Sequence, residues 1–293
     1  MTRFSQPTAI KPRSRISVFA EGLDHPEGLA FDLDGVLWAG GEDGQIYSIT
    51  PDSAVRLVTS LGGFNLGLAF SPSQELHVCD FKQQAVHRLD RSGRSVGSIT
   101  QAAGRPLRHP NFVVFDRAGD LYVSESGHWE ESDGCVYRLR ESGKSEVFAG
   151  PFAFANGLAL NATEDALFVV ESRCNRVWRV PILANGMAGD REIYVSDLER
   201  IPDGLVFDAA GNLYVTCYTT DCIYRVLPSR SVELFAFDPD GVVLSRPTNA
   251  AFGGPCGTDL FIANLGRWHI ACIPTESAGQ PLANQHPQEA TSL

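Results

Sequence analysis

Six times along this chain a polar residue introduces a short apolar run, which a tight turn joins to a second apolar run. The first copy is His25-Pro26-Glu27-Gly28-Leu29-Ala30-Phe31-Asp32, followed after the turn by Leu37-Trp38-Ala39. The later copies start at Phe64, His109, Phe154, Ile201 and Arg246. A third run follows in each, for example residues 45–49, 135–139, 176–180 and 222–226, with apolar and polar positions alternating as in half-buried strands. Residues 146–149 and 232–235 read as a fourth, outer strand. Four strands per unit, repeated at roughly 40–50 residues, predict an all-β, six-bladed β-propeller with four-stranded antiparallel blades.

The last copy ends near Ile273 with no outer strand of its own, whereas residues 15–20 carry an outer-strand pattern and precede the first copy. The N-terminal strand is therefore expected to close the last blade and cover an edge that would otherwise be open. The expected organisation is an N-terminal extension over 1–14, a propeller catalytic domain over 15–275 and a C-terminal tail over 276–293.

The formal net charge of -11 repels phosphate backbones, so nucleic acid is not an expected partner. No apolar run is long enough to span a bilayer, and Met1-Thr2-Arg3-Phe4-Ser5-Gln6-Pro7 lacks the apolar centre of a secretion leader. The 7 cysteines are odd in number and lack paired spacing, as expected of reduced thiols. Together these predict a cytoplasmic protein without a membrane partner, a monomer or small homo-oligomer. Asp32-Leu33-Asp34-Gly35 and Asp238-Pro239-Asp240-Gly241 resemble fragments of calcium loops but lack the other ligands, and read as hairpin turns. No Gly-x-Ser-x-Gly elbow is present, which disfavours a serine hydrolase.

Aligning the copies puts Glu27, Leu66, Asn111, Asn156, Asp203 and Thr248 at one equivalent position, just ahead of the apolar run. In a propeller the first strand of each blade lines the central channel, so five oxygen-bearing side chains should converge there. Buried carboxylates are costly without compensation, and a divalent cation compensates them. Carboxylate and carboxamide oxygens suit calcium first, with magnesium, manganese or zinc as alternatives.

The segments Pro26-Glu27-Gly28, Pro110-Asn111, Ala155-Asn156-Gly157-Leu158-Ala159, Pro202-Asp203-Gly204-Leu205 and Pro247-Thr248-Asn249-Ala250-Ala251-Phe252-Gly253-Gly254 carry a resemblance. They resemble the gluconolactonase / senescence-marker-protein / luciferin-regenerating-enzyme family, from about Glu21 to about Ile273. The resemblance implies a metal-dependent lactonase acting on a small-molecule cyclic ester, with one divalent ion on Glu27, Asn156 and Asp203. It also implies that Asp203 is the general base and that Asn111 lies beside metal and substrate. Where sugar-lactonase members often carry Arg, this chain has His109, and Phe112 stands where Asp is common. His128 and Trp129, in the insert 126–133, and Tyr218 join His109 as candidate substrate contacts. Phosphotriester hydrolysis, strictosidine-synthase-like condensation and a non-catalytic binding propeller are the alternative functions.

Overall fold

The computed structural model describes residues 9–198 and 201–285. Six four-stranded antiparallel sheets form a β-propeller, each sheet one blade. The innermost strands are Leu29–Phe31, Asn65–Phe70, Pro110–Phe115, Ala155–Leu160, Pro202–Phe207 and Pro247–Gly253. Each packs against the next, and the sixth returns to the first, so the six enclose a channel. Among the described residues no helix is long and apolar enough to cross a membrane.

The burial of each strand explains its sequence. A blade has a neighbour on either face, so its inner strands are covered on both sides. Ala155–Leu160 and Ala166–Glu171 are buried at every position and read as nearly continuous apolar runs. The outer strand Ser95–Ile99 is exposed along most of its length and carries small and polar residues. The apolar core is correspondingly divided into six seams, each between two consecutive blades. Phe168 and Val170 of the fourth blade meet Leu205, Phe207 and Val215 of the fifth, and Trp38 of the first meets Phe70 and Leu76 of the second. Truncating a seam residue such as Phe168 to alanine should cost about 3–5 kcal/mol.

Three of the turns between an inner strand and its neighbour use one device. Asp116 ends its strand, accepts the backbone N–H of Asp120 on its carboxylate at 2.9 Å, and Gly119 takes the left-handed conformation at φ 86. Asp32 and Asp208 make the same bonds to Val36 and Asn212, which places Asp32-Leu33-Asp34-Gly35 in a hairpin turn as expected.

The N-terminal strand closes the ring. Ser17–Glu21 pairs antiparallel with His269–Pro274, with Ser17 opposite Cys272 and Glu21 opposite His269. Ahead of it, the backbone N–H groups of Ile10 and Lys11 donate to Leu234 and Phe235 on the outer strand of the fifth blade. The other end of the chain covers one mouth of the channel. Gln280 donates from its backbone to the Phe207 carbonyl at 3.0 Å and from its side chain to Leu160 at 3.0 Å. Asn284 donates to the Phe31 carbonyl at 3.0 Å. Beneath this segment lies a cavity of about 700 Å³ walled by Leu29, Phe115, Leu158 and Leu205.

His77 lies buried in the second blade, edge-on to Phe115 with centroids 4.8 Å apart. Burial pushes its pKa down to about 4. The fold thus holds the neutral ring, so stability from this residue is complete above pH 6.5 and is lost as pH falls towards 4. The loss should be about 3 kcal/mol. Denaturant melts across that window should show a shallower acid slope for His77→Gln than for the parent chain; equal slopes would remove His77 from the acid response.

Candidate active site at the channel mouth

The functional side chains sit where the inner strands begin. In five blades the ladder between the inner strand and its neighbour slips there: between Asn65 and Leu68, Pro110 and Phe112, Ala155 and Leu158, Pro202 and Leu205, and Pro247 and Ala250. These irregularities contain Leu66, Asn111, Asn156, Asp203 and Thr248. A bulge re-aims the residue it contains, which is how neighbouring residues of an otherwise apolar strand present polar groups at the channel. The glycine after the ring residue has a separate cause. A Cβ on Gly157 would stand 2.3 Å from the Asp203 carbonyl, and one on Gly204 2.4 Å from that of Thr248. Only glycine lets consecutive inner strands approach so closely.

Hydroxyl groups stitch the ring together. Ser126 Oγ accepts from Asn111 Nδ2 at 3.0 Å and donates to the Ala155 carbonyl at 2.8 Å, one residue before Asn156. Ser172 Oγ accepts from Asn156 Nδ2 at 3.2 Å and donates to Pro202 at 2.7 Å, one residue before Asp203. Thr216 donates to the Thr248 carbonyl at 2.6 Å, and Thr248 to that of Glu27 at 2.9 Å. Each serine occupies the amide nitrogen of its asparagine, leaving the amide oxygen to face elsewhere. Asn111 Oδ1 and Asn156 Oδ1 are buried and have no hydrogen-bond partner.

Glu27 and Asp203 are buried beside these oxygens, 6% and 8% exposed. Burial raises the pKa of Glu27 well above the carboxylate range, and the nearby Asp203 charge raises it further. Burial likewise raises Asp203, while the adjacent Asn156 amide acts in the opposite direction. Asp203 is thus hydrogen-bonded by Asn156 and close enough to Glu27 for its charge to act there, although the three are far apart in sequence. Two carboxylates disfavoured as a charged pair, next to two amide oxygens lacking donors, are what a divalent cation would satisfy. The donor set is all oxygen, which fits a hard ion such as calcium.

A second layer fixes the strand entrances. Glu125 accepts the backbone N–H groups of Arg108, at 3.1 Å, and His109. Glu171 accepts from Ala153 at 2.7 Å and from Trp178 Nε1 at 2.7 Å. Asp80 accepts from Phe64 at 3.1 Å. The sequence gives none of these acids, nor Ser126, Ser172 or Thr216, a role at the site, although Val170-Glu171-Ser172 resembles the family and an acid ends the second run in several copies.

Two residues before each ring position stand His25, Phe64, His109, Phe154, Ile201 and Arg246, forming a collar around the mouth. His25, Phe154 and Arg246 hold positive φ of 38, 66 and 49, a conformation that non-glycine residues adopt rarely and often at functional sites. In four of the six blades the residue or loop after the second strand leans across a seam onto the next collar residue. Phe81 stacks on His109 at 5.0 Å, Trp129 stands edge-on to Phe154 at 4.9 Å, and Trp268 lies 5.1 Å from His25. The Arg246 guanidinium sits 5.5 Å over the Tyr218 ring. His109, Trp129 and Tyr218 therefore belong to the mouth. His128 does too: it meets His109 edge-on at 5.2 Å, and Asp133 fixes its Nδ1 at 2.8 Å. His128, Glu131 and Asp133 also bring one ligand atom each within 4.8 Å of one another, on an exposed loop.

A profile described as the SMP-30/Gluconolactonase/LRE-like region matches residues 42–265. The chain belongs to this family. A strictosidine synthase-like N-terminal profile also matches, over residues 15–49. Within the SMP-30/gluconolactonase/LRE-like family, a gluconolactonase of Zymomonas mobilis is 24% identical over 225 residues, covering 67% of this chain and 60% of that protein. Lactonase drp35 of Staphylococcus saprophyticus is 29% identical over 205 residues, covering 66% of this chain and 63% of that protein. The matched region thus spans about three fifths of the length of these relatives. A regucalcin from Agrobacterium tumefaciens, described as a calcium-binding protein, superposes with a TM-score of 0.74 at 17% identity, covering 94% of this chain and 99% of that one. At that identity the likeness is one of fold.

Proposed function

We propose that this chain is a divalent-metal-dependent lactonase whose centre is the ring of Glu27, Asn156 and Asp203. The observation that carries this reading is the pair of buried carboxylates, one raised by the other's charge, together with unpartnered asparagine oxygens at equivalent ring positions. Membership of the family and the two lactonase relatives support the substrate class.

Glu27, Asn156 and Asp203 would hold the ion, with Asn111 beside it. A divalent cation bound there supplies Lewis-acid polarisation of the ester carbonyl. Asp203 takes a proton from the attacking water, the role that the family resemblance implies for it. Asn111 is oriented by its Nδ2 bond to Ser126, which leaves the unpartnered Oδ1 to accept the second O–H of the water. The water oxygen bonds to the carbonyl carbon, the ring C–O bond breaks, and the proton returns to the departing alkoxide to give a hydroxy acid.

A pH-indicator assay on a δ-lactone tests the reading. Turnover should fall by roughly 100-fold or more in EDTA and return with calcium. Undiminished turnover in chelator, or no hydrolysis of any lactone, would reject it. The strictosidine synthase-like match at 15–49 favours condensation chemistry as the second reading, and such activity should persist in chelator.

A further inference from the structure

We propose that the mouth selects lactones bearing an apolar alkyl or aryl substituent over polyhydroxylated ones, an inference that rests on the lactonase reading above. A polyol entering a partly dry site needs a hydrogen-bond partner for each hydroxyl it desolvates. Several of the collar's polar atoms are already held by neighbours. His25 Nδ1 is engaged by Asp24 at 2.9 Å, and His128 Nδ1 by Asp133 at 2.8 Å. Arg246 lies over Tyr218 and donates to its hydroxyl at 3.3 Å. His109 Nδ1 is buried without a hydrogen bond. By contrast the apolar surface at the mouth is large and unspent. Trp129 is 39% exposed and Trp268 55%, on opposite sides of the ring in the third and sixth blades, each propped edge-on or tilted against a collar ring. Aromatic faces held in place by neighbouring rings suit stacking and alkyl contact, which they provide at little conformational cost. Polar atoms largely held by neighbouring residues and exposed aromatic faces match a lactone with one polar end and an apolar arm.

Lactams of the same ring size bind without turning over, and calorimetry on the intact chain can compare three of them: unsubstituted, pentyl-substituted and polyhydroxylated. The pentyl lactam should bind roughly tenfold or more tighter than either of the others. Trp129→Ala should erase most of that gap, and Trp129→Phe should restore it, since the ring face rather than the fold is what is lost. A polyhydroxylated lactam that binds as tightly as the pentyl one, or no detectable binding of the pentyl lactam, would overturn the inference. If the binding preference holds and no lactone is hydrolysed, the selectivity stands and the lactonase reading is what fails.

Discussion

Asp203→Asn lowers lactone turnover by about 10²–10⁴-fold while the metal-free protein melts at the same temperature or higher. The two halves of this expectation have different origins. Turnover falls because the amide cannot accept the proton from water. Stability does not fall because the fold disfavours charge at this position: burial raises both Asp203 and Glu27, and the Asp203 charge raises Glu27 further. A carboxyl whose pKa is higher in the folded chain than in the unfolded one weakens the fold as pH rises through that interval. An isosteric neutral side chain removes that burden, and Ser172, which positions Asn156 and bonds to the Pro202 carbonyl, is untouched. Near-normal turnover by the variant would take the base role away from Asp203. A large drop in its melting temperature would show the carboxylate to be a structural partner.

Removal of residues 1–21 is expected to give protein that aggregates or melts at least ~10 °C lower. Ser17–Glu21 is the outer strand of the sixth blade, and without it His269–Pro274 becomes an exposed edge. The deletion also uncovers apolar surface, since Ile16 is buried in the seam between the fifth and sixth blades and Ala20 in that between the sixth and first. The cut falls directly before Gly22 and Leu23, which donate to the Trp268 carbonyl at the mouth. A soluble truncation with an unchanged melting temperature would mean that the ring closes by other contacts.

The propeller and its closing strand were legible because they depend on patterns that recur. Inner strands covered on both faces must be apolar throughout, and six copies of that demand leave a strong signal. The register of Glu27, Asn111, Asn156 and Asp203 was legible for the same reason. What escaped was set by contacts between copies. Ser126 acts on Ala155 and Ser172 on Pro202, residues of the next blade, and a lone serine after a strand has nothing in its own repeat to mark it. Glu125 and Glu171 looked like strand ends, and their roles appear only once the chain entering the same blade folds back onto them. The pairing of Tyr218 with Arg246 and of Trp129 with Phe154 likewise joins consecutive blades.

Metal stoichiometry by mass spectrometry, with affinity by calorimetry, tests the three-residue ion site most directly. The parent chain should bind one divalent ion. Glu27→Gln and Asp203→Asn should each weaken it by more than the roughly 10–100-fold that loss of an outer-shell partner costs, whereas Asp133→Asn on the exposed loop should leave it unchanged. A chain that binds no divalent ion, or one whose ion departs with Asp133 and stays when Glu27 is replaced, would contradict the site.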